Sequence, residues 1–238
     1  MRLKQFDTYT FRCSSLGKLM VSPRNKKDLL SATTKKYLQE IHKEVVFGKT
    51  TDIESKYLEK GKQVEEDAIE MYSRVKSHRY TKNEMFFEND LICGTPDIIE
   101  DELIDIKSSW DFTTFPMHEE ELPNSAYYWQ MQGYMALTGK KESLVTYCLV
   151  DTPMMLIQDE IRRLSWKLGM IEVPEELELE VYDRLQYADV PEELRIKEFK
   201  VEYNDEDVQR LYERIEICKE YLTSLSVSIG SRIPKSII

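Results

Sequence analysis

Gly94-Thr95-Pro96-Asp97 and, eight residues after its aspartate, Asp105-Ile106-Lys107 are the stretches that decide how this chain folds. Each lies in or beside a short apolar run of the kind that forms a buried strand. Asp105 and Lys107 are two residues apart, so on a strand their side chains share one face while Ile106 points to the other. An exposed Asp–Lys pair is one explanation for this pattern, and it would contribute little to stability.

A second explanation is a metal site. Asp97 lies one short turn before the Asp105 strand, so the two carboxylates could approach each other within a few ångström. Neighbouring carboxylates repel, and a shared cation stabilises them. Mg²⁺ is typically held by one or two carboxylates together with water and substrate phosphate. Lys107 would then orient or activate an attacking water and balance the charge on a phosphate.

The surrounding sequence predicts helices on both sides of a group of short strands. Apolar residues recur at helical spacing over residues 28–47, 53–75, 125–138 and 204–225, with a short helix after Ser14-Ser15 and another within 151–168. Short apolar runs at 84–87, 91–93, 98–99 and 103–106 predict an antiparallel meander, and later strands are expected at 144–150 and 195–203. We expect an α/β (α+β) fold in one domain over 1–238, with a central mixed sheet, a β-meander and flanking helices.

Charge is distributed unevenly along the 238 residues, whose formal net charge is −11. Residues 1–36 carry nine Lys or Arg and two Asp, a net +7, which leaves −18 on the remainder. A basic end on an acidic body can bind phosphates locally, although a solvated basic surface would have the same composition. The net charge of −11 also suggests an acidic partner protein with no DNA contact, but the +7 segment at the N-terminus argues against this alternative.

Several classes of protein are excluded by composition. No apolar run is long enough to cross a bilayer, and the N-terminus lacks a secretory signal, so we expect a cytoplasmic protein, in the host cytoplasm if it is phage-encoded. The four cysteines form no close pair, which disfavours zinc and iron–sulfur sites and predicts reduced thiols.

Two helices add candidate side chains to the strand pattern. Glu65 borders the apolar face of the 53–75 helix, where it either serves a site or is an ordinary edge residue. Gln130 and Tyr134 are spaced i, i+4 on the 125–138 helix, a weak signal by itself.

Taken together, these motifs resemble the phage recombination exonucleases, also called the lambda-exonuclease-like or YqaJ-type viral recombinases, within the PD-(D/E)xK nuclease superfamily. The resemblance covers about residues 10–150. It rests on the motifs Gly61-x-x-x-Glu65-x-x-Ala68, Gly94-x-Pro96-Asp97, Asp105-x-Lys107 and Gln130-Met131-Gln132 followed by Leu137-Thr138-Gly139. Gln130-x-x-x-Tyr134 also matches the glutamine–tyrosine motif of RecB-type nuclease domains.

The resemblance implies a role for each matching residue. Asp97, Asp105 and the Ile106 carbonyl would ligate Mg²⁺ or Mn²⁺, and Glu65 would complete the metal site directly or through water. Lys107 would be the catalytic lysine, and Gln130 would position the substrate or the lysine. Side chains expected at the DNA are Arg12, Ser14, Ser15, Gln132 and Tyr134, with one of the two serines at a phosphate.

The function implied is a Mg²⁺-dependent exonuclease that digests linear double-stranded DNA from 5′ ends. The family produces a 3′ overhang for a single-strand annealing protein, and its best-known member is a ring-shaped trimer. Two alternatives stay open: a related endonuclease or repair nuclease, and an inactive nuclease fold that binds DNA or protein. The sequence departs from the family at Asp105, where many members have Glu, and in the acidic run Glu119-Glu120-Glu121. Residues 151–238 form an extension that the motifs do not cover.

Overall fold

The elements of the fold are taken from a computed structural model, which describes residues 6–50 and 56–230. The α-helices in chain order are α1 (Leu16–Leu19), α2 (Ala32–Phe47), α3 (Lys56–Gln63), α4 (Glu65–Val75), α5 (Ser125–Thr138), α6 (Met154–Leu168), α7 (Glu175–Leu185) and α8 (Asp205–Gly230). The strands are β1 (Phe11–Arg12), β2 (Phe87–Glu88), β3 (Ile92–Gly94), β4 (Ile98–Ile99), β5 (Leu103–Ser108), β6 (Glu142–Cys148) and β7 (Ile196–Glu202). Short 3₁₀ helices span Cys13–Ser15 and Glu192–Arg195.

A four-stranded mixed sheet in the order β4-β5-β6-β7 forms the centre of the molecule. β5 and β6 run parallel, whereas β4 and β7 pair antiparallel with their neighbours. Parallel neighbours need a crossover, and the chain between β5 and β6 supplies α5 for it. The predicted α/β class with a mixed sheet and flanking helices is confirmed.

The predicted meander is divided between two sheets. β2 and β3 pair antiparallel and β4 and β5 do so too, but β3 belongs to a separate sheet in the order β1-β3-β2. Pro96 lies in the connection between β3 and β4. It cannot donate a backbone hydrogen bond, so the ladder cannot continue through it. Asp97 follows immediately, at the junction between the two sheets.

Helix ends follow from local chemistry. Asn124 accepts a hydrogen bond from the Ala126 N–H at the start of α5, and Gly139 ends that helix in the left-handed conformation with φ of 76°. The predicted 125–138 helix is therefore confirmed. Ser15 precedes α1 as expected, but its side chain makes no capping hydrogen bond.

The helix predicted over 53–75 is two helices. Val64, with φ of −109° and ψ of 10°, separates α3 from α4. Its N–H still donates to the Lys60 carbonyl, and its own carbonyl accepts from the Ala68 N–H, so hydrogen bonding continues while the axis changes. The break makes Glu65 the first residue of α4. The expected start at Ile53 lies outside the described residues.

All four cysteines are buried, and none of them forms a disulfide. Within residues 6–50 and 56–230, the structure contains no helix with the length and apolar character that crossing a bilayer requires.

Candidate active site

A cleft of 540 Å³ brings together residues that are far apart in the sequence. α3, the start of α4, the end of β5 and α5 all contribute to its wall. The predicted site residues that line it are Ser14, Glu65, Asp97, Ile106, Lys107 and Gln130. Asp105 lies directly behind this wall, with 1% of its surface exposed.

Asp105 and Lys107 form a largely buried ion pair, in which the aspartate is covered and the lysine borders the cleft. The Lys107 Nζ lies 2.5 Å from Asp105 Oδ2, on the central strand β5. Burial raises the pKa of Asp105, although the Lys107 charge opposes this. Burial would lower the pKa of Lys107, but the charges of Asp105 and Asp97 outweigh it and raise the pKa above its usual value. The alternative of an exposed Asp–Lys pair is thus excluded.

Asp97 lies beside this pair. Its Oδ2 accepts a hydrogen bond from the Ile106 N–H at 2.8 Å. The register of β4 on β5 pairs Ile98 with Ile104, and one further step sets Asp97 opposite Asp105. Burial, and next the charge of Asp105, raise the pKa of Asp97 to about 7. Two carboxylates that repel each other in a largely desolvated place form a site that favours a cation.

Gln130, on helix α5, holds the buried carboxylate of Asp105 by a hydrogen bond. Its Nε2 donates to Asp105 Oδ1 at 2.8 Å, and its side chain is itself buried. A carboxylate can only accept, so this contact fixes the orientation of the amide. Gln130 therefore positions Asp105, whereas the sequence predicted a contact with the substrate or with Lys107.

Glu65 faces the same cleft but has a partner of its own. Its Oε2 lies 2.9 Å from the Lys82 Nζ. Its negative charge contributes to the raised pKa of both Asp97 and Asp105. Among the residues that the structure describes, no three acidic, His or Cys side chains are already arranged around a common metal position. Glu65 is thus near the aspartate pair without converging on it.

The donor set fits a hard divalent ion. Asp105 Oδ2 is buried and makes no well-directed hydrogen bond, although the Lys107 ammonium is in contact with it. Carboxylate oxygens are the ligands that Mg²⁺ and Mn²⁺ prefer, and two carboxylates with water suffice for Mg²⁺. Asp97 and Asp105 meet that requirement.

The residues expected at DNA occupy different environments. Ser14 is exposed and lines the cleft, Arg12 is exposed on β1, and Ser15 is half-buried. Gln132 is fully buried, with its amide bonded to the Glu202 carbonyl and the Asn204 N–H.

Tyr134 is also buried, and its ring packs so closely that a Cβ added to Gly94 would lie 2.7 Å from Cε1. In this structure Gln132 and Tyr134 therefore contact the protein interior rather than a surface open to DNA.

Other side chains of the site were missed from the sequence. The Lys107 ammonium lies 4.8 Å from the centre of the Tyr127 ring, which also lines the cleft. Tyr127 precedes Gln130 by three residues on α5, a spacing that places both on one face and could have revealed it. Lys60 and Lys82 belong to no motif, so no sequence signal distinguished them.

Solved structures similar to this chain were found. A phage related exonuclease from Haemophilus somnus 129PT has a TM-score of 0.77 and 27% identity, with 92% of this chain and 96% of that chain covered. An alkaline exonuclease, LHK-Exo, from Laribacter hongkongensis has a TM-score of 0.64 and 15% identity, with coverage of 95% and 94%. The structure of LHK-Exo in complex with dAMP has a TM-score of 0.62 and 15% identity, with 94% of this chain and 92% of that chain covered.

These matches confirm the resemblance inferred from the motifs. The two at 15% identity support the fold alone, whereas the match at 27% adds similarity in sequence. A match over 92% of the chain must include much of residues 151–238, which the motifs did not reach. No family model and no curated protein matches the sequence.

Proposed function

We propose that this chain, which has the fold of the phage-type exonucleases, hydrolyses phosphodiester bonds of linear double-stranded DNA with the help of Mg²⁺ or Mn²⁺. The observation that carries the proposal is the buried Asp105–Lys107 pair, with Asp97 beside it and Gln130 fixing it, behind an open cleft. Burying this many charges is costly, and a fold tolerates such a cost most readily at a functional site.

Each residue of the site has its own role in the proposed reaction. Asp97, Asp105 and the Ile106 carbonyl would hold the ion, which would supply a more acidic water and neutralise charge on the phosphate. Lys107 orients the attacking water and stabilises the developing negative charge. Gln130 keeps Asp105 in one orientation, and Glu65 would complete the metal site directly or through water.

DNA enters the same cleft in this proposal. Ser14 lines it, and Arg12 is exposed on the strand that leads to Ser14, so both can contact a phosphate. The dAMP complex of LHK-Exo supports nucleotide binding by this fold. We propose 5′-end digestion to mononucleotides, a trimeric assembly and a single-strand annealing partner, all on the strength of the family resemblance.

End-labelled linear duplex and covalently closed circular DNA, each incubated with and without Mg²⁺, test the proposed activity. We expect loss of the linear DNA only when Mg²⁺ is present, and intact circles. Rapid cutting of circles would instead support the related endonuclease. Labels at the 5′ and 3′ ends, with 5′-phosphate and 5′-hydroxyl substrates compared, determine the direction.

Asp105→Asn tests the assignment of the site because it removes the charge and keeps the size. We expect no metal-dependent degradation, with a circular dichroism spectrum like that of the unaltered protein. Asp101→Asn is the matched control, since Asp101 is exposed just before β5. Full activity in Asp105→Asn would remove the site assignment.

A further inference from the structure

Lys82 occupies a position that the proposed mechanism does not use. Its ammonium lies 2.9 Å from Glu65 Oε2, with 43% of the lysine side chain and 26% of the glutamate side chain exposed. The contact with Glu65 raises the pKa of Lys82, as do the nearby charges of Asp97 and Glu66. Lys82 is thus a cation held at the edge of the acidic centre, which consists of Glu65, Asp97 and Asp105.

The backbone next to Lys82 is fixed to the Asp97 segment. The Asn83 N–H donates to the Asp97 carbonyl at 2.7 Å, and Asn83 Nδ2 donates to the Pro96 carbonyl at 2.9 Å. These contacts hold the residue before them, Lys82, close to both Glu65 and Asp97. The fold therefore places the backbone of Lys82 within side-chain reach of Glu65.

The charge of the centre changes with this lysine. Glu65, Asp97 and Asp105 contribute −3 only when all three are ionised, and the paired Lys107 and Lys82 ammonium groups contribute +2. The side chains of the Lys107–Asp105 pair are 20% and 2% exposed, whereas those of the Lys82–Glu65 pair are 43% and 26% exposed, so the Lys82 pair is more open to solvent and contributes less. Of these two cations, Lys82 is the one that an arriving divalent ion can displace.

We propose that Lys82 is a positioning residue that acts as a displaceable counter-cation of Glu65, and that it lowers the affinity of the centre for divalent metal. While paired with Lys82, Glu65 has its Oε2 held by the ammonium group. Metal binding competes with the ammonium for the Glu65 carboxylate, which then turns to the ion or to its water. This inference rests on the metal site of the proposed function.

Mn²⁺ titrations followed by electron paramagnetic resonance, without DNA, measure the competition directly. We expect Lys82→Met to bind Mn²⁺ roughly fivefold more tightly, because an ion pair of this exposure is worth up to about 1 kcal/mol. Lys82→Arg keeps the charge and should bind as the unaltered protein does. Lys76→Met is the matched control, since Lys76 is a half-exposed lysine paired with another glutamate, Glu198.

A double-mutant cycle with Glu65→Gln separates this proposal from a general effect of charge. If Lys82 acts through Glu65, Lys82→Met changes Mn²⁺ affinity in the unaltered protein and leaves it unchanged in the Glu65→Gln background. An equal gain in both backgrounds would overturn the inference, as would unchanged or weaker binding by Lys82→Met alone. A complete lack of Mn²⁺ binding by the unaltered protein would overturn the proposed metal site and this inference together.

Discussion

At the scale of single residues, Asp105 is stable inside β5 only because other groups replace the water that it has lost. Lys107 contacts one carboxylate oxygen and Gln130 donates to the other. An ionised carboxylate without such partners would be strongly disfavoured in the interior. The glutamine amide is thus as much a part of the centre as the charged groups.

Gln130→Ala should lower the stability of the protein measurably. It leaves Asp105 Oδ1 without its donor, and an unsatisfied buried group costs about 1–3 kcal/mol. In a chain of this size each kcal/mol lowers Tm by about 2–4 °C, which thermal unfolding detects.

Gln63→Ala is the control for this change, because Gln63 is exposed on α3 and its amide bonds only the neighbouring Glu59. Equal shifts of Tm in the two variants would show that the Gln130 contact contributes nothing.

At the scale of elements, the close approach of α1 to α5 positions both sides of the cleft. A Cβ added to Gly17 would lie 2.5 Å from the backbone Cα of Ala126, and one added to Gly133 would lie 2.5 Å from Leu16 Cδ1. Only glycine permits this separation. The contact brings the segment of Ser14 and the helix of Gln130 to one cleft.

Gly17→Ala should therefore destabilise the protein by about 1–3 kcal/mol, the usual cost of overpacking. The Ala126 backbone cannot move aside without shifting α5. Gly61→Ala is the opposite case, because its Cβ would meet nothing within 4 Å on helix α3.

Alanine replacing glycine within a helix stabilises it by about 0.5–1 kcal/mol. Denaturant unfolding of the two variants should therefore give changes of opposite sign, and changes of the same sign would contradict this account of the contact.

The same elements explain which parts of the fold the sequence could predict. The bounds of α5 were correct because Asn124 and Gly139 carry strong start and stop signals. The break at Val64 was missed because apolar spacing and backbone hydrogen bonds both continue through it. The division of the strands between two sheets depends on pairing across the molecule, which short apolar runs do not encode.

Within the site, alternation along a strand predicted that Asp105 and Lys107 share one face, and they are in contact. The short turn before this strand allowed Asp97 to approach them, but only the register of β4 on β5 establishes that it does. The partners of Gln130 and Glu65 were not predictable. Each contact joins residues from separate elements, and the identity of the partner depends on how those elements pack.

At the scale of the whole molecule, Lys60 links three parts of the structure with one buried ammonium group. It lies on α3 with none of its surface exposed, and its Nζ donates to the carbonyls of Trp110, after β5, and Val150, after β6, at 2.9 Å each. Burial lowers its pKa to about 8, although Asp111 and Asp151 oppose the shift. Global stability should therefore depend on pH through this residue.

The sign of the effect follows from the two pKa values. In the unfolded chain Lys60 titrates near its ordinary value of 10.5, and in the folded chain near 8. Between these values the unfolded state binds more protons, so the free energy of unfolding rises with pH, and below pH 8 the contribution is level. From pH 7 to pH 10 the gain from Lys60 alone should be about 2 kcal/mol.

Denaturant unfolding of the unaltered protein and of Lys60→Met at several pH values between 7 and 10 isolates the contribution of Lys60 to the pH dependence of the unfolding free energy. Other groups titrate alike in both proteins, so the difference between their unfolding free energies should shift in favour of the unaltered protein as pH rises. Lys62→Met, at an exposed position two residues further along α3, should leave the pH dependence unchanged. A constant difference between the unaltered protein and Lys60→Met across this range would mean that Lys60 keeps an ordinary pKa, and that its two carbonyl partners already compensate the ammonium for the loss of water.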